Sequence, residues 1–242
     1  MVPDIRTLSV EGVLPSKFTT VTLPNDIRFP SGEPRFLVTS VYEEFLGILT
    51  SDDQMWQAGQ DMFHRFANTR HATIIKGQPG IGSYLELRYS SILVHTYIIG
   101  KTVFLNYVLV RRLQAKLPTV YCDHESYVHI FTESGVTKVQ LMSDSLISEL
   151  MTNVHCCALV NIGPDVLQPP KQFNPKARKG RVVLATSPNQ DHVRAFWKEW
   201  KCVSYCMPTW NWPELYFARQ VQEFCSCRRL IYCHSAFYGR AH

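Results

Sequence analysis

What most constrains this chain is a strand–turn–helix pattern written in two pieces. HATIIKG (71–77) is a short, apolar, β-branched run ending in glycine, as a buried parallel strand would. It runs into GQPGIG (77–82), the first six residues of the phosphate-binding pattern G-x-x-x-x-G-K-T. The closing Lys-Thr comes only at 101–102, where KTVFLNYVLVRRLQAK (101–116) reads as a helix stopped by Pro118. Eighteen residues, 83–100, stand between the two pieces. With them lifted out, the chain reads IIKGQPGIG-KTVFLNYVLV, and the motif sits between a strand and a helix.

Contiguity is what makes such a loop work. Backbone N–H groups of the turn and of the helix start converge on phosphates. The lysine reaches the β- and γ-phosphates, and the Ser/Thr hydroxyl ligates magnesium. Splitting the loop separates the N–H nest from lysine and hydroxyl, so weak nucleotide affinity is expected of the chain as written.

Two readings of residues 83–100 stay open. One is a retained intron translated in frame: Gly82-Ser83 can be encoded GGT-AGT, with a GT donor, and Ile99-Gly100 ATA-GGN, with an AG acceptor. The other is a true insertion, in which SILVHTYIIG (91–100) is the strand leading into GKT. Amplifying the transcript across this region separates them, because only the first allows a product shorter by these eighteen codons.

The rest of the chain supplies an α/β frame. Residues 1–34 read as a loosely ordered Pro/Ser/Thr-rich leader with one short strand. FLVTSVYEEFLGIL (36–49) and QMWQAGQDMFHRFAN read as two helical stretches, the first with Tyr42, Phe45, Leu46 and Leu49 at helical spacing. TVYCD (119–123) is a strand, YVHIFT (127–132) and VTKVQLM (136–142) a hairpin, and SDSLISELMTN a short helix. CCALVNIG (156–163), RVVLATSP (181–188) and CVSYCMPTW read as strands, with helices NQDHVRAFWKEW and WPELYFARQVQEF after the last two. Strands that alternate with helices and lack polar alternation predict a mainly parallel sheet covered on both faces.

Composition narrows the classes. At 242 residues, 45% hydrophobic and 19% charged, the chain can build one substantial α/β core. A net charge of +5, scattered along the chain, permits an anionic ligand without asking for nucleic acid. No apolar run approaches the roughly 18 residues of a membrane span, and MVPDIRTLSVEG lacks the pattern of a secretory signal. The eight cysteines are irregularly spread, with Cys122, Cys156 and Cys157 inside apolar runs. Together these predict an intracellular protein, cytoplasmic or nuclear, with no membrane partner.

A nucleotide site also needs an acid at the end of a neighbouring strand to hold the magnesium shell. CCALVNIG presents Asn161 there, an uncharged acceptor, and no carboxylate follows directly. Asp165, beyond Gly163-Pro164, is the substitute on offer, against the ordinary reading of a solvated turn residue. At the end of RVVLATSPN, Thr186, Ser187 and Asn189 stand where a γ-phosphate sensor would, or where strand-end and helix-entry chemistry would put the same residue types. Arg178, Lys179 and Arg181 could reach phosphates, against the ordinary reading of a charge run in a Pro-rich loop as a solvated face. Cys202, Cys206, Cys225, Cys227, Cys233 and His234 are too loosely spaced for structural zinc. Cys122-Asp123-His124-Glu125 are adjacent along a strand and turn, which is poor geometry for a nucleophilic dyad.

Taken in order, HATIIKGQPGIG…KTVFLNYVLVRRL, ALVNIGPDVLQPP, GRVVLATSPN and YCMPTWNWPEL resemble the P-loop NTPase domain of fungal Crinkler/RHS-type proteins, a branch of the AAA/STAND-like ATPases, over roughly residues 35–224. The resemblance implies a three-layer α/β fold with a mainly parallel sheet and a C-terminus truncated before the helical lid. It implies that Gly77, Gly80, Gly82, Lys101, Thr102 and Ser187 bind ATP, with Thr102 on Mg2+, and that Asn161 or Asp165 and Thr186 take the catalytic positions beside Lys101. It further implies ring-like homo-oligomers and effector or mobile-element biology. Residues 225–242 depart from the pattern and read as an atypical tail. A non-catalytic module that keeps the fold is the alternative.

Overall fold

The structure is a computed structural model that describes residues 4–9, 17–23, 28–29, 35–62, 72–77, 100–122, 127–141, 144–162, 170–173, 180–186 and 202–208. The chain divides into two compact units, one made of 3–29, 33–39 and 210–242 and the other dominated by 40–209.

In the smaller unit, β1 (Asp4–Ser9), β2 (Lys17–Thr22) and β3 (Arg35–Val38) form an antiparallel sheet in that order. The segment expected to hold one short strand therefore holds two. KFTTVT is rich in the β-branched residues that suit a pleated surface, and its pairing with Phe36 and Leu37 lies beyond any local pattern. Val21, Phe36 and Leu37 are buried, and the Phe29 ring lies 4.8 Å from that of Phe36. The helix expected from Phe36 thus begins later.

In the larger unit that helix, α1, spans Ser40–Met62, fusing the two stretches that the sequence reading kept separate. The main sheet has seven strands: β4 (Ala72–Gly77), β5 (Thr119–Cys122), β6 (Tyr127–Thr132), β7 (Gly135–Gln140), β8 (Cys157–Asn161), β9 (Arg181–Thr186) and β10 (Val203–Met207). Their order is β10-β4-β9-β8-β5-β6-β7. The first five run parallel, and the β6–β7 hairpin extends the sheet antiparallel at one edge. The expected mainly parallel α/β sheet is therefore observed.

Side-chain parity sorts the two faces. Ala72, Ile74, Val120, Cys122, Ala158, Val160, Val182 and Leu184 point to one face, where they bury Ile147 and Met151 at and just beyond α3 (Asp144–Leu150) together with Phe173 of the turn Lys171–Phe173. The alternate residues face α2 (Lys101–Gln114), which packs on β4, β5, β8 and β9 with α1 beside it. Helices on both faces make three layers, and they let each strand be apolar on both sides.

Two buried arginines fasten the amino-terminal end of the sheet. Arg181 donates to the Leu49 carbonyl of α1 and to Thr73 Oγ1 of β4, both at 2.8 Å. The sequence reading put Arg181 in a solvated charge run, but it is only 6% exposed: its two terminal nitrogens both find acceptors, which is enough to hold the guanidinium inside. Arg112, near the end of α2, donates to Thr119 Oγ1 and to the carbonyls of Pro118 and His155. Just beyond it the helix closes through hydrogen bonds from Leu117 N–H to Arg112 O and from Lys116 N–H to Leu113 O. Lys116 takes the left-handed conformation, φ 56°, that this closure requires and that glycine usually fills.

Replacing Arg112 by methionine keeps most of the packing volume but removes three hydrogen bonds, while Thr119 Oγ1 keeps its bond to the Leu117 carbonyl and the Pro118 carbonyl keeps the one from Cys157 N–H. A loss of about 3 kcal/mol in unfolding free energy is expected from urea denaturation, since each of the three lost hydrogen bonds contributes about 0.5–1.5 kcal/mol net.

Candidate functional site

The carboxyl ends of β4, β8 and β9 meet the amino-terminal end of α2. Chain direction explains why a crevice belongs there. From β4 the chain crosses to β5, over the face that carries α2. From β5 it returns through β8 and β9 to β10, with α3 on the opposite face. Right-handed crossovers require these two senses of travel to use opposite faces. Connections therefore diverge at the neighbouring strands β4 and β9, and the crevice beyond their carboxyl ends is where open α/β sheets bind ligands.

The structure brings several of the sequence-nominated residues to this end. Gly77 closes β4 in register with Met207 of β10, and Lys76 pairs with Thr186. Gly100 precedes α2, and the sulfur of Met207 lies 3.9 Å from the position a Cβ on Gly100 would take. The start of the Lys-Thr helix thus lies against the strand that neighbours β4, close to where the first half of the motif begins. Thr102 Oγ1 donates to Asn161 Oδ1 at 3.4 Å, joining the first turn of α2 to the last residue of β8. Asn161 shares its strand parity with Leu159, on the α2 face. Thr186 is buried and shares parity with Val182 and Leu184, so it belongs to the face opposite Thr102 and Asn161. Gly80, Gly82, Asp165, Ser187 and the stretch 83–99 lie outside the described residues, as do Asn189, Arg178 and Lys179.

Gly100 has φ 144° and ψ −100°, a conformation that L side chains rarely adopt, and no side chain caps the helix at this position. Its carbonyl accepts two hydrogen bonds, from Phe104 N–H at 2.8 Å and from the Tyr42 hydroxyl at 3.1 Å. The first N–H groups of α2 carry the positive end of the helix dipole and are oriented for an acceptor beyond the helix end. Lys101 stands at the same end, half-buried, and desolvation holds its ammonium below the usual lysine range.

Other nominated chemistry separates from this end. Cys122, Cys156 and Cys157 are buried, and burial pushes the Cys156 and Cys202 thiols up to about 12, which leaves little thiolate at neutral pH. Cys202 is half-buried and Cys206 exposed; Cys225, Cys227, Cys233, His234 and residues 123–126 lie outside the described residues. Among the described residues no cluster of three or more His, Cys, Asp or Glu could hold a metal ion, and no helix is long and apolar enough to cross a membrane.

The sequence reading missed Tyr42. It was read as one apolar position of a helix, and its partner lies fifty-eight residues away in the chain, so no local spacing could reveal it. No protein-family model matches the chain, and no curated protein matches it.

The lowered pKa of Lys101 fixes the sign of a pH effect. The unfolded chain holds this proton up to 10.5, whereas the folded protein gives it up earlier. Stability therefore rises with pH between the lowered value and 10.5, and below that window the buried charge is a standing cost. Lys101→Met is expected to raise the urea midpoint at neutral pH, and this gain is expected to shrink as the pH approaches 10.5. A constant difference across that range counts against the assignment.

Proposed function

We propose that this chain is an ATP-binding module built on a P-loop-type α/β domain, ancestrally an ATPase or ATP-dependent switch, in which residues 83–100 impair the phosphate cradle. The observation that carries the reading is the contact between Thr102 and Asn161 at the carboxyl ends of the parallel strands. A Lys-Thr pair opening a helix, tied to a strand-end residue beside the topological switch point, is the arrangement that triphosphate binding with magnesium calls for.

The residues present fit the nucleotide better than they fit its hydrolysis. Lys101 offers an ammonium and α2 offers N–H groups to phosphate oxygens. Thr102 offers a hydroxyl to a magnesium ion, whose chemistry would be to neutralise charge between the β- and γ-phosphates. Asn161 can accept a hydrogen bond from a metal-bound water but adds no negative charge, so the metal is held less firmly than by a carboxylate. Thr186, on the other face of the sheet, is less favoured as a sensor than Asn161 is as a metal-shell residue. Assembly into homo-oligomers and the link to effector biology rest on the Crinkler/RHS-type resemblance alone.

The second reading, a non-catalytic module that retains the fold, is favoured by that same asparagine. Magnesium-ATP binding and turnover of the chain with and without residues 83–100 decide between the two. Removal is expected to tighten binding. In the shortened form Lys101→Ala is expected to weaken binding by roughly ten- to a hundred-fold, the worth of a charge-assisted contact to phosphate. Asn161→Asp in that background is expected to raise turnover. Binding without turnover in every form selects the non-catalytic module, and no binding in any form removes the nucleotide reading altogether.

A further inference from the structure

We propose that Tyr42 is a positioning residue for the nucleotide-binding end of α2: its hydroxyl holds the carbonyl of Gly100 and thereby sets the direction in which the Lys101 N–H faces. The inference rests on the nucleotide-binding reading above and names the part of the structure that orients that site. Gly100 and Lys101 share one peptide plane, in which the carbonyl and the N–H point in opposite directions. Gly100 itself supplies no restraint, because its φ of 144° lies in a region where glycine moves freely. The restraint comes from the two donors on its carbonyl. Phe104 N–H is the ordinary first helical bond, and the Tyr42 hydroxyl reaches in from α1. With the oxygen fixed toward α1 and the helix, the Lys101 N–H is fixed away from both, toward the end of the helix.

Packing alone does not call for a hydroxyl at position 42. Tyr42 is fully buried, with ring centroids 5.6 Å from Phe104 and 6.0 Å from Tyr107, a setting a phenylalanine would fill equally well. Tyr107 provides the contrast. It belongs to the same aromatic group, but its hydroxyl donates back to Glu43 of α1 and leaves the start of α2 untouched. The Tyr42 bond is also indifferent to the interruption of the loop. It takes a backbone carbonyl of whichever residue precedes Lys101, which is Gly100 here and Gly82 once residues 83–100 are removed.

The experiment compares Tyr42→Phe, Tyr107→Phe and Lys101→Ala in the full chain. Affinity for magnesium-ATP is read by ligand-observed NMR, which reaches weak binding, and thermal midpoints are taken alongside. Tyr42→Phe is expected to weaken binding roughly five-fold, the worth of one neutral hydrogen bond, while lowering the midpoint no more than Tyr107→Phe does. Tyr107→Phe is expected to leave affinity unchanged. If Lys101→Ala loses binding but Tyr42→Phe keeps parental affinity, the positioning role is wrong and the nucleotide reading stands. If both phenylalanine variants lose affinity in proportion to their loss of stability, Tyr42 is a packing residue only. If the parent chain does not bind magnesium-ATP, with or without residues 83–100, both proposals fall.

Discussion

Helix α2 is the member on which everything else is hung. From Phe104 to Val110 none of its residues is exposed, because the sheet covers one side of the helix and α1 covers another. A helix buried nearly all round gains little from amphipathic patterning and has to be apolar throughout, which FLNYVLV very nearly is. Such a helix could slide or rotate without loss of burial unless polar contacts fixed its register. Such contacts include Thr102 to Asn161 and Gly100 to Tyr42 at the start, Tyr107 to Glu43 midway, and Arg112 to Thr119, Pro118 and His155 at the finish. Apolar burial supplies the driving force, and a few directional bonds decide where along the sheet the helix stops.

The same division explains what could be read in advance. ATIIKG, TVYC, CALVN and RVVLAT are continuous apolar runs bounded by turn residues, and each became a strand within a residue or two of its expected bounds. The hairpin at Glu133-Ser134 and the helix beginning at Lys101 carry equally local signals. The failures are non-local. Arg35–Val38 looks like the opening of a helix until β2 pairs with it, and the β-branched Lys17–Thr22 gains its place as a strand from pairing with β1 on one side and β3 on the other. Arg181 looks solvated beside Lys179 until the Leu49 carbonyl and Thr73 are brought to it. At the site, Lys101, Thr102 and Asn161 were legible because each sits at a fixed place in a strand-helix pattern. Tyr42 was not, because a buried tyrosine and a buried phenylalanine look alike until the acceptor is known.

The interruption at residues 83–100 also becomes intelligible in these terms. Both ends of the connection are held by contacts that do not depend on its length. Gly77 is paired with Met207 in the sheet, and Gly100 lies against Met207 while its carbonyl is held by Tyr42. For any loop without structure of its own, lengthening from four residues to twenty-two adds only about 1.5 kcal/mol of closure entropy, because that cost grows with the logarithm of loop length. A core as extensive as this one absorbs such a penalty. Phosphate binding has no such tolerance. It depends on several N–H groups and one ammonium converging within hydrogen-bond reach of a single ligand, and that convergence is fixed by the few residues between strand and helix. One insertion can therefore leave the fold standing and still weaken the chemistry. Sheet order and helix seating thus bear on the fold alone, and the proposed nucleotide binding rests on Lys101, Thr102, Asn161 and the bonds that aim them.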